Sequence, residues 1–377
     1  MIDHDMDKLV LSYLNPFRDL HSLLLVNHKF KKITQRHYLY KWLNKLYRSP
    51  ESTPKKHRNA STYEKLLMVA CRYNNQLYKY IIYNYKVNIH TLRETPFYLA
   101  CKWGNLGIAR KLMEISSTTQ FTPIDIHANH DNILNQCCLG NQTKVVKWLI
   151  EISHKPSFKP FNIHKNDEKI FRSACRKGNL KLVKYLWKFS NSPNQTPINY
   201  NIMSEDAFRI SCKRGHIEVV KFLWKISNKP GNNVINYKID NEDAFIYSCA
   251  NGHIEIVKFL WSLGNINYRV NDDHAFRISC QNGHIEIIKF LWSLGNINHR
   301  AKNDYAFRYS CINGHIKVAQ FLWNVQDINN KIVIRANDDE AFKKSCENNH
   351  HEVTQWLCTL NPGYKIDTVS KARVDYI

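Results

Sequence analysis

The chain has 377 residues, and its 44% hydrophobic and 12% aromatic content excludes a largely disordered protein. Its 54 lysines and arginines outnumber its 32 acidic residues, and the formal charge of +22 favours anionic partners unless the lysines are spread evenly over the surface. No window reaches the roughly 18 apolar residues of a membrane span, and the acidic N-terminus lacks the start of a secretory signal, so we expect an intracellular protein.

The first fifty residues are predicted to form three short amphipathic helices. Val10 and Leu14 recur at helical spacing before Pro16 ends the first helix, since proline disfavours helix in the residue before it. A second helix starts at Asp19-Leu20, and a third carries Trp42. We therefore expect a helical module over residues 1–48, followed by a polar linker over 49–62.

The module resembles the F-box in its leucines, its proline and its Asp-Leu pair. That resemblance implies docking on a Skp1-type adaptor of a cullin ubiquitin ligase. The residues that match the family's pattern would anchor the adaptor, and they are Leu14, Pro16, Leu20, Val26 and Phe30. The alternative is a helical cap that only shields the end of the array that follows.

From residue 63 onward one segment recurs along the chain. Its clearest copies read SACRKGNLKLVKYLW (173–187), SCKRGHIEVVKFLW (211–224), SCANGHIEIVKFLW (248–261), SCQNGHIEIIKFLW (279–292) and SCINGHIKVAQFLW (310–323). Weaker copies begin at Cys71, Cys101, Cys138 and Cys346, so we expect about nine repeats over 63–360 and a C-terminal tail over 361–377. Units this short must stack to share a core.

Each repeat is predicted to be two helices joined by a turn. In the copy that starts near residue 271, Asn271, Asp272 or Asp273 offers a side-chain oxygen to cap the first helix. Asn282-Gly283 ends that helix, because glycine accepts a left-handed backbone without penalty. The second helix runs from His284 through apolar residues at helical spacing.

The repeat resembles the ankyrin repeat, as TPFYLAC (95–101), GHIEVVKFLW (215–224) and GNIN (295–298) show. The resemblance implies an all-α, helix-turn-helix solenoid that acts as a protein–protein interaction scaffold. In later copies an acidic residue followed by Ala-Phe replaces the Thr-Pro start. Longer spacers such as 190–201 and 227–238 are predicted to lengthen hairpin-like fingers along one edge.

His253-x-Glu255 and His284-x-Glu286 resemble the start of a zinc deaminase motif. Such a metal needs three protein ligands, and the Cys-x-x-Cys that would complete the set occurs nowhere in the sequence. We therefore expect no enzyme activity, no metal and no cofactor. The repeated histidines are instead expected at the inter-helix turn, bonded to neighbouring backbone: His216, His253, His284 and His315.

Three other sets of residues recur at a fixed position in each repeat, and each set is called a row below. The cysteines replace a small alanine of the ankyrin pattern and should fill the core as reduced thiols. The tryptophans Trp187, Trp224, Trp261, Trp292 and Trp323 should fill space between repeats, a base-stacking platform being the alternative. A basic row contains Arg172, Arg209, Arg277, Arg308 and Lys343. It is predicted either to contact an acidic target or phosphate backbone, or to bridge adjacent repeats, or to remain solvated.

The two parts together predict a substrate-recruiting adaptor, in which the array selects a target and the N-terminal module presents it to a ubiquitin ligase. This combination, in a composition rich in Lys, Asn, Ile and Tyr, resembles the ankyrin families of amoeba-infecting giant viruses, which would place the protein in the host cytoplasm or nucleus. The alternatives are a basic solenoid that binds nucleic acid and a plain protein-binding scaffold. We expect a monomer that does not bind membranes.

Overall fold

The computed structural model describes residues 62–73, 77–84, 87–118, 122–128, 132–328, 330–366 and 372–374. The predicted F-box-like module, with its anchors Leu14, Pro16, Leu20, Val26 and Phe30, lies outside the described residues. The described chain divides into two compact units, one that ends at Ile163 and one that begins at His164.

The first unit consists of helices that pair in chain order. They are α1 (Thr62–Tyr73), α2 (Leu77–Asn84), α3 (Thr91–Lys102), α4 (Leu106–Ser116), α5 (Asn132–Leu139) and α6 (Thr143–Ser153). Each odd-numbered helix packs against the helix that follows it, and α1, α3 and α5 pack in succession. Leu67, Phe97, Leu112 and Leu149 are buried in the resulting core.

The second unit continues the same alternation. Its elements are α7 (Lys165–Arg176), α8 (Leu180–Ser190), α9 (Ile202–Lys213), α10 (Ile217–Ser227), α11 (Ile239–Ala250), α12 (Ile254–Ser262), α13 (Val270–Gln281), α14 (Ile285–Ser293), α15 (Ala301–Ile312), α16 (Ile316–Val325), α17 (Ala336–Glu347), α18 (His351–Leu360), β1 (Tyr364–Ile366) and β2 (Ala372–Val374). Odd-numbered helices from α7 to α17 pack on one another in order and are called the first helices below.

The turn between paired helices follows the prediction. Helix α13 ends at Gln281, Asn282 is its C-cap, and Gly283 takes a φ of 76° before His284 precedes α14. The N–H of His284 donates to the carbonyl of Ser279 at 3.0 Å, which closes the turn. Glycine is used here because a positive φ places no Cβ in conflict with the backbone.

The cysteine row lies in the core, as predicted. Cys280 is fully buried, as are Phe276, Ile288 and Leu291 from the same repeat. Burial raises the pKa of the Cys280 thiol well above its usual range, because a low-dielectric surrounding disfavours the thiolate. These thiols are therefore packing groups rather than nucleophiles.

The start of each first helix differs from the prediction. Asn271, Asp272 and Asp273 do not cap α13, because they adopt φ values of 55°, 57° and 56° and form a left-handed turn. The same three-residue turn opens α3, α7, α9, α11, α15 and α17. Asn and Asp tolerate this conformation better than other side chains, and they occupy most of these positions in α11, α13 and α17. In α3 the turn is formed by Leu92, Arg93 and Glu94, directly before Thr95-Pro96, so it accompanies the Thr-Pro start rather than replacing it.

Two details of the predicted architecture also need correction. The chain is not purely α-helical, because β1 pairs antiparallel with β2, with Tyr364 opposite Val374. The spacers 191–201 and 228–238 form no paired strands and are instead extended loops. The hydroxyl of Tyr200 donates to the carbonyl of Asn233 at 2.8 Å and so ties one of these loops to the next.

Candidate functional site

From His216 onward, the turn histidines of the second unit join a repeat to the repeat before it. The ring Nε2 of His216 lies 3.0 Å from the carbonyl oxygen of Arg176, and the same atom of His253 lies 3.1 Å from that of Lys213. The ring of His253 covers Gly215 of the preceding turn, where an added Cβ would lie 2.6 Å from the ring. The predicted bonds from these histidines to neighbouring backbone are confirmed, and the glycine is required by its partner as well as by its own φ.

The side chains of the His-x-Glu pair, which resembles a zinc motif, do not point at a common site. His284 contacts the carbonyl of Ala250 at 3.1 Å, whereas the side chain of Glu286 is 73% exposed and lies 3.9 Å from Lys289. Within the described ranges, no group of three or more His, Cys, Asp or Glu side chains is placed to hold a metal ion.

Three arginines of the basic row hold the left-handed turn of their own repeat, whereas the buried Nε of Arg209 has no hydrogen-bond partner among the described residues. Arg277 Nε donates to the carbonyl of Asp272 at 2.8 Å, and its Nη2 donates to the carbonyl of Asn271 at 2.8 Å. Arg172 and Arg308 repeat this pattern on the equivalent carbonyls of their own repeats. One guanidinium thus satisfies two carbonyls that the unusual backbone leaves unpaired.

All four arginines of the row, including Arg209, reach the next repeat. Arg172 Nη1 lies 2.8 Å from Asp206, and Arg209 Nη1 lies 2.8 Å from both Asp240 and Asp243. Arg308, whose side chain is 5% exposed, pairs with Glu340. Arg277 lies over the ring of Tyr305 at 5.2 Å.

Ile246 occupies the repeat position of these arginines in α11 and interrupts the row. In the next repeat His274 takes the position that Asp206 and Asp243 hold in theirs, and burial lowers the pKa of His274. Lys343 pairs within its own repeat, with Asp338 at 3.2 Å. The row therefore makes structural contacts, mostly between repeats, and binding of a target by it stays a prediction.

A row of buried acids was missed in the sequence. Asp273 is 2% exposed and accepts the N–H of Asn298 from the next repeat at 3.0 Å. Equivalent bonds join Asn199 to Glu168, Asn236 to Glu205, Asn267 to Glu242 and Val333 to Asp304. The signal was available, because an acid occurs three residues before the core phenylalanine in each of these repeats.

Each buried acid also has a polar or charged residue four positions earlier. His164 and Asn201 lie 2.8 Å from Glu168 and Glu205. Arg300 and Arg335 each lie 3.1 Å from an aspartate, Asp304 and Asp339. Histidine or asparagine accompanies the two glutamates and arginine accompanies the two aspartates, so the combined reach of these four pairs is similar. Lys238 with Glu242 departs from this pattern. In the Lys238–Glu242 repeat, burial raises the pKa of Glu242.

Asp339, the last acid of the buried row, is paired with the C-terminal segment instead of another repeat. The hydroxyl of Tyr364 donates to Asp339 at 2.8 Å, and its ring stacks on Phe342 at 4.1 Å. Burial and the neighbouring carboxylate raise the pKa of Tyr364, so it remains the neutral donor. We name Tyr364 and its strand the terminal plug.

The tryptophans are less buried than predicted. Trp224, Trp261 and Trp292 are half-buried, and none of the row belongs to the fully buried core. They do pack between repeats, since Trp261 lies 6.4 Å from Phe290 and Trp292 lies 6.1 Å from Phe321, both edge-to-face. Their packing fills the interface margin rather than its centre.

The outward side of the first helices presents an apolar row. Ile210, Tyr247, Ile278 and Tyr309 occupy the same repeat position on α9, α11, α13 and α15, and each is half-buried. Tyr305 stacks on Tyr309 at 4.0 Å. We call the row Ile210, Tyr247, Ile278 and Tyr309 the first-helix face. It offers rigid aromatic and aliphatic side chains without a catalytic arrangement.

Comparison with known proteins identifies the repeat. A family model described as "Ankyrin repeats (3 copies)" matches residues 67–159, 134–230, 171–272, 208–303 and 278–370. No curated protein matches the sequence. In the described part of the chain, every helix is too short or too polar to cross a membrane.

Proposed function

Because the matched segments run without a gap from residue 67 to residue 370, the chain belongs to the ankyrin repeat family, and we propose that it is a non-enzymatic scaffold that holds a protein target on its array. The first-helix face carries this proposal. Its side chains stand on helices that are held to their neighbours by buried apolar residues and by hydrogen bonds between repeats. They are therefore available for a partner at little cost in rearrangement.

The aromatic content of the first-helix face suits protein binding. Tyrosine supplies a large apolar contact with few rotatable bonds and a hydroxyl for the rim of an interface. Tyr247 and Tyr309 alternate with Ile210 and Ile278 along four successive first helices. A target that lies across these helices would contact one apolar residue per repeat.

Two double variants test this surface. Ile278→Glu with Tyr309→Glu places charge on the first-helix face, and Lys258→Glu with Lys289→Glu changes two exposed residues of the second helices. In affinity capture from a host-type lysate with the full chain, we expect the first double variant to lose the proteins that the wild type retains. Equal capture by both double variants would contradict the assignment of this face.

The finer proposal is that residues 1–48 dock a Skp1-type adaptor, so that a captured target is ubiquitinated. Its support is the sequence pattern with Leu14, Pro16, Leu20, Val26 and Phe30. We expect co-purification with Skp1 and cullin that Leu20→Asp with Val26→Asp abolishes. Ile328→Asp, at an exposed apolar residue of the array, is the matched control. Retention of the complex by the double variant would refute docking through this pattern.

A further inference from the structure

Five cations cluster at the turns of the first two repeats of the second unit. They are Arg176, Lys177, Lys181, Lys213 and Arg214, and we call them the basic turn patch. All five side chains are exposed. The bond between His216 and the carbonyl of Arg176 brings the second turn against the end of α7. Within the residues that the structure describes, none of the five pairs with an acidic side chain.

The later repeats show that the turn itself does not require these charges. At the position of Lys177 and Arg214 they carry asparagines, whose amides donate to nearby backbone carbonyls. These bonds join Asn251 to Tyr247, Asn282 to Ala250, Asn313 to Gln281 and Asn348 to Ile312, at 2.8, 2.7, 2.8 and 2.9 Å. The structural role at this position is thus an amide hydrogen bond, which the two cations do not replace.

A helix dipole does not account for the patch either. A cation in the last turn stabilises a helix, and Arg176 and Lys213 stand there. However, α11, α13 and α15 end in the same fold without one, at Ala250, Gln281 and Ile312. The surplus charge of the first two turns therefore points to a ligand.

The patch adjoins the first-helix face. Lys213 Nζ lies 4.5 Å from the ring centre of Tyr247, which belongs to that face. Neighbouring helices pack about 8 to 10 Å apart, so Lys177 and Arg214 are separated by about that distance. An extended segment in the polyproline II conformation rises about 3.1 Å per residue and turns once every three residues, so carboxylates three residues apart lie on one side and match the two cations.

We propose that the basic turn patch binds an acidic, extended segment of a partner protein. Carboxylates at every third residue contact Lys177 and Arg214, and the apolar residues that follow lie on Tyr247 and Ile278. The inference rests on the proposed scaffold function and adds the chemistry of the target. Charge at one end and apolar contact at the other also fix the direction of the bound segment.

The surroundings favour a protein over nucleic acid. A phosphate backbone carries charge continuously and is bound by a continuous track of cations. In the next two repeats beyond the patch the turns carry the neutral Asn251 and Asn282, and Glu255 and Glu286 stand where the first repeat has Lys181. A polyanion that continued along the repeats would meet these glutamates, whereas a short acidic segment would not.

Fluorescence anisotropy with the full chain tests the proposal. The probe is a labelled peptide with glutamates at every third position, followed by phenylalanine and leucine at the same spacing. A peptide with glutamine in place of glutamate and a labelled single-stranded DNA of similar length are the comparison ligands. The test variant is Lys177→Asn with Arg214→Asn, which installs the residue of the later repeats. Lys225→Asn with Lys229→Asn removes two exposed cations elsewhere.

We expect the wild type to prefer the glutamate peptide, and the patch variant to raise its Kd about tenfold, with a weaker salt dependence. The Lys225 and Lys229 variant should bind like the wild type. Thermal unfolding checks the fold, and Lys177→Gln with Arg214→Gln repeats the test with a different amide.

Three results of the anisotropy experiment would overturn the inference: no preference for the glutamate peptide, an unchanged Kd in both patch variants, or DNA binding that is stronger than peptide binding and lost in those variants. Capture of targets that survives the patch variants but not Ile278→Glu with Tyr309→Glu would remove this inference and leave the scaffold function standing.

Discussion

Substitution of the buried acid Asp304 directly tests what holds neighbouring repeats together. Its side chain is 1% exposed, one carboxylate oxygen accepts the N–H of Val333 at 3.1 Å, and the other faces Arg300 Nε at 3.1 Å. Replacement by alanine removes both bonds and leaves a buried N–H without an acceptor. Asparagine keeps the shape and one acceptor but loses the charge.

Hydrogen bonds to a charged group contribute about 1.5 to 3 kcal/mol each. The guanidinium of Arg300 is one third exposed, so water replaces much of what it loses. We therefore expect Asp304→Ala to lower the free energy of unfolding by about 3 kcal/mol and Asp304→Asn by about 1 to 2 kcal/mol. For a domain of this size, the alanine variant corresponds to a fall in Tm of about 6 to 12 °C.

Urea and thermal denaturation of the full chain, followed by circular dichroism, measure the loss. Asp338→Asn is the matched control, because its carboxylate is 82% exposed and paired only with Lys343. The control should unfold like the wild type. If Asp304→Asn were as stable as the Asp338 control, the buried acids would not hold the repeats together and the reasoning would fail.

Three other predictions concern the cysteine, glycine and histidine rows. Cys280→Ala should cost about 1 kcal/mol and Cys280→Asp should prevent folding, because the site is buried and apolar; rapid alkylation of the native thiol would contradict this. Gly283→Ala should lower the free energy of unfolding by about 1 to 2 kcal/mol, because φ is 76° there and the new Cβ would lie 2.7 Å from His315. In a double-mutant cycle, adding His315→Ala should restore part of that stability, because the ring that the Cβ meets is removed. Burial lowers the pKa of His253 and His315 below the usual 6.5. As the pH falls, the unfolded chain therefore binds protons before the folded chain does, which destabilises the fold. Denaturation between pH 7.5 and 5 should show a free energy of unfolding that is full above about pH 6.5 and decreases below that pH. His253→Gln should flatten that fall, and an unchanged pH profile would refute its cause.

Features that depend on spacing within one repeat were predictable from the sequence. The Gly-His turn, the paired helices and the buried cysteine all follow from residue types that recur in register. Cys280 illustrates this, because a small apolar group between two helical rows has only the core to occupy. The family match over the array agrees with that interpretation.

Features that depend on the neighbouring repeat were not predictable in the same way. Asp273 sits in an Asn-Asp run that resembles an exposed helix cap, and its burial is decided by Asn298 in the next repeat. The left-handed turn makes the burial of Asp273 still harder to predict, because helical periodicity assumes a right-handed backbone. Arg308 similarly has the composition of a surface cation, yet its carbonyl partners and Glu340 enclose it.

The terminal plug limits where repeats can be gained or lost during evolution. Successive repeat boundaries from Glu168 to Asp304 use a carboxylate and a backbone N–H, which any copy of the unit provides, so loss or duplication of a whole copy joins compatible ends. At Asp339 the donor is the side chain of Tyr364, which no repeat supplies. Unequal recombination can therefore alter the number of copies upstream of Asp339, whereas truncation before Tyr364 leaves a buried carboxylate with Arg335 as its remaining partner.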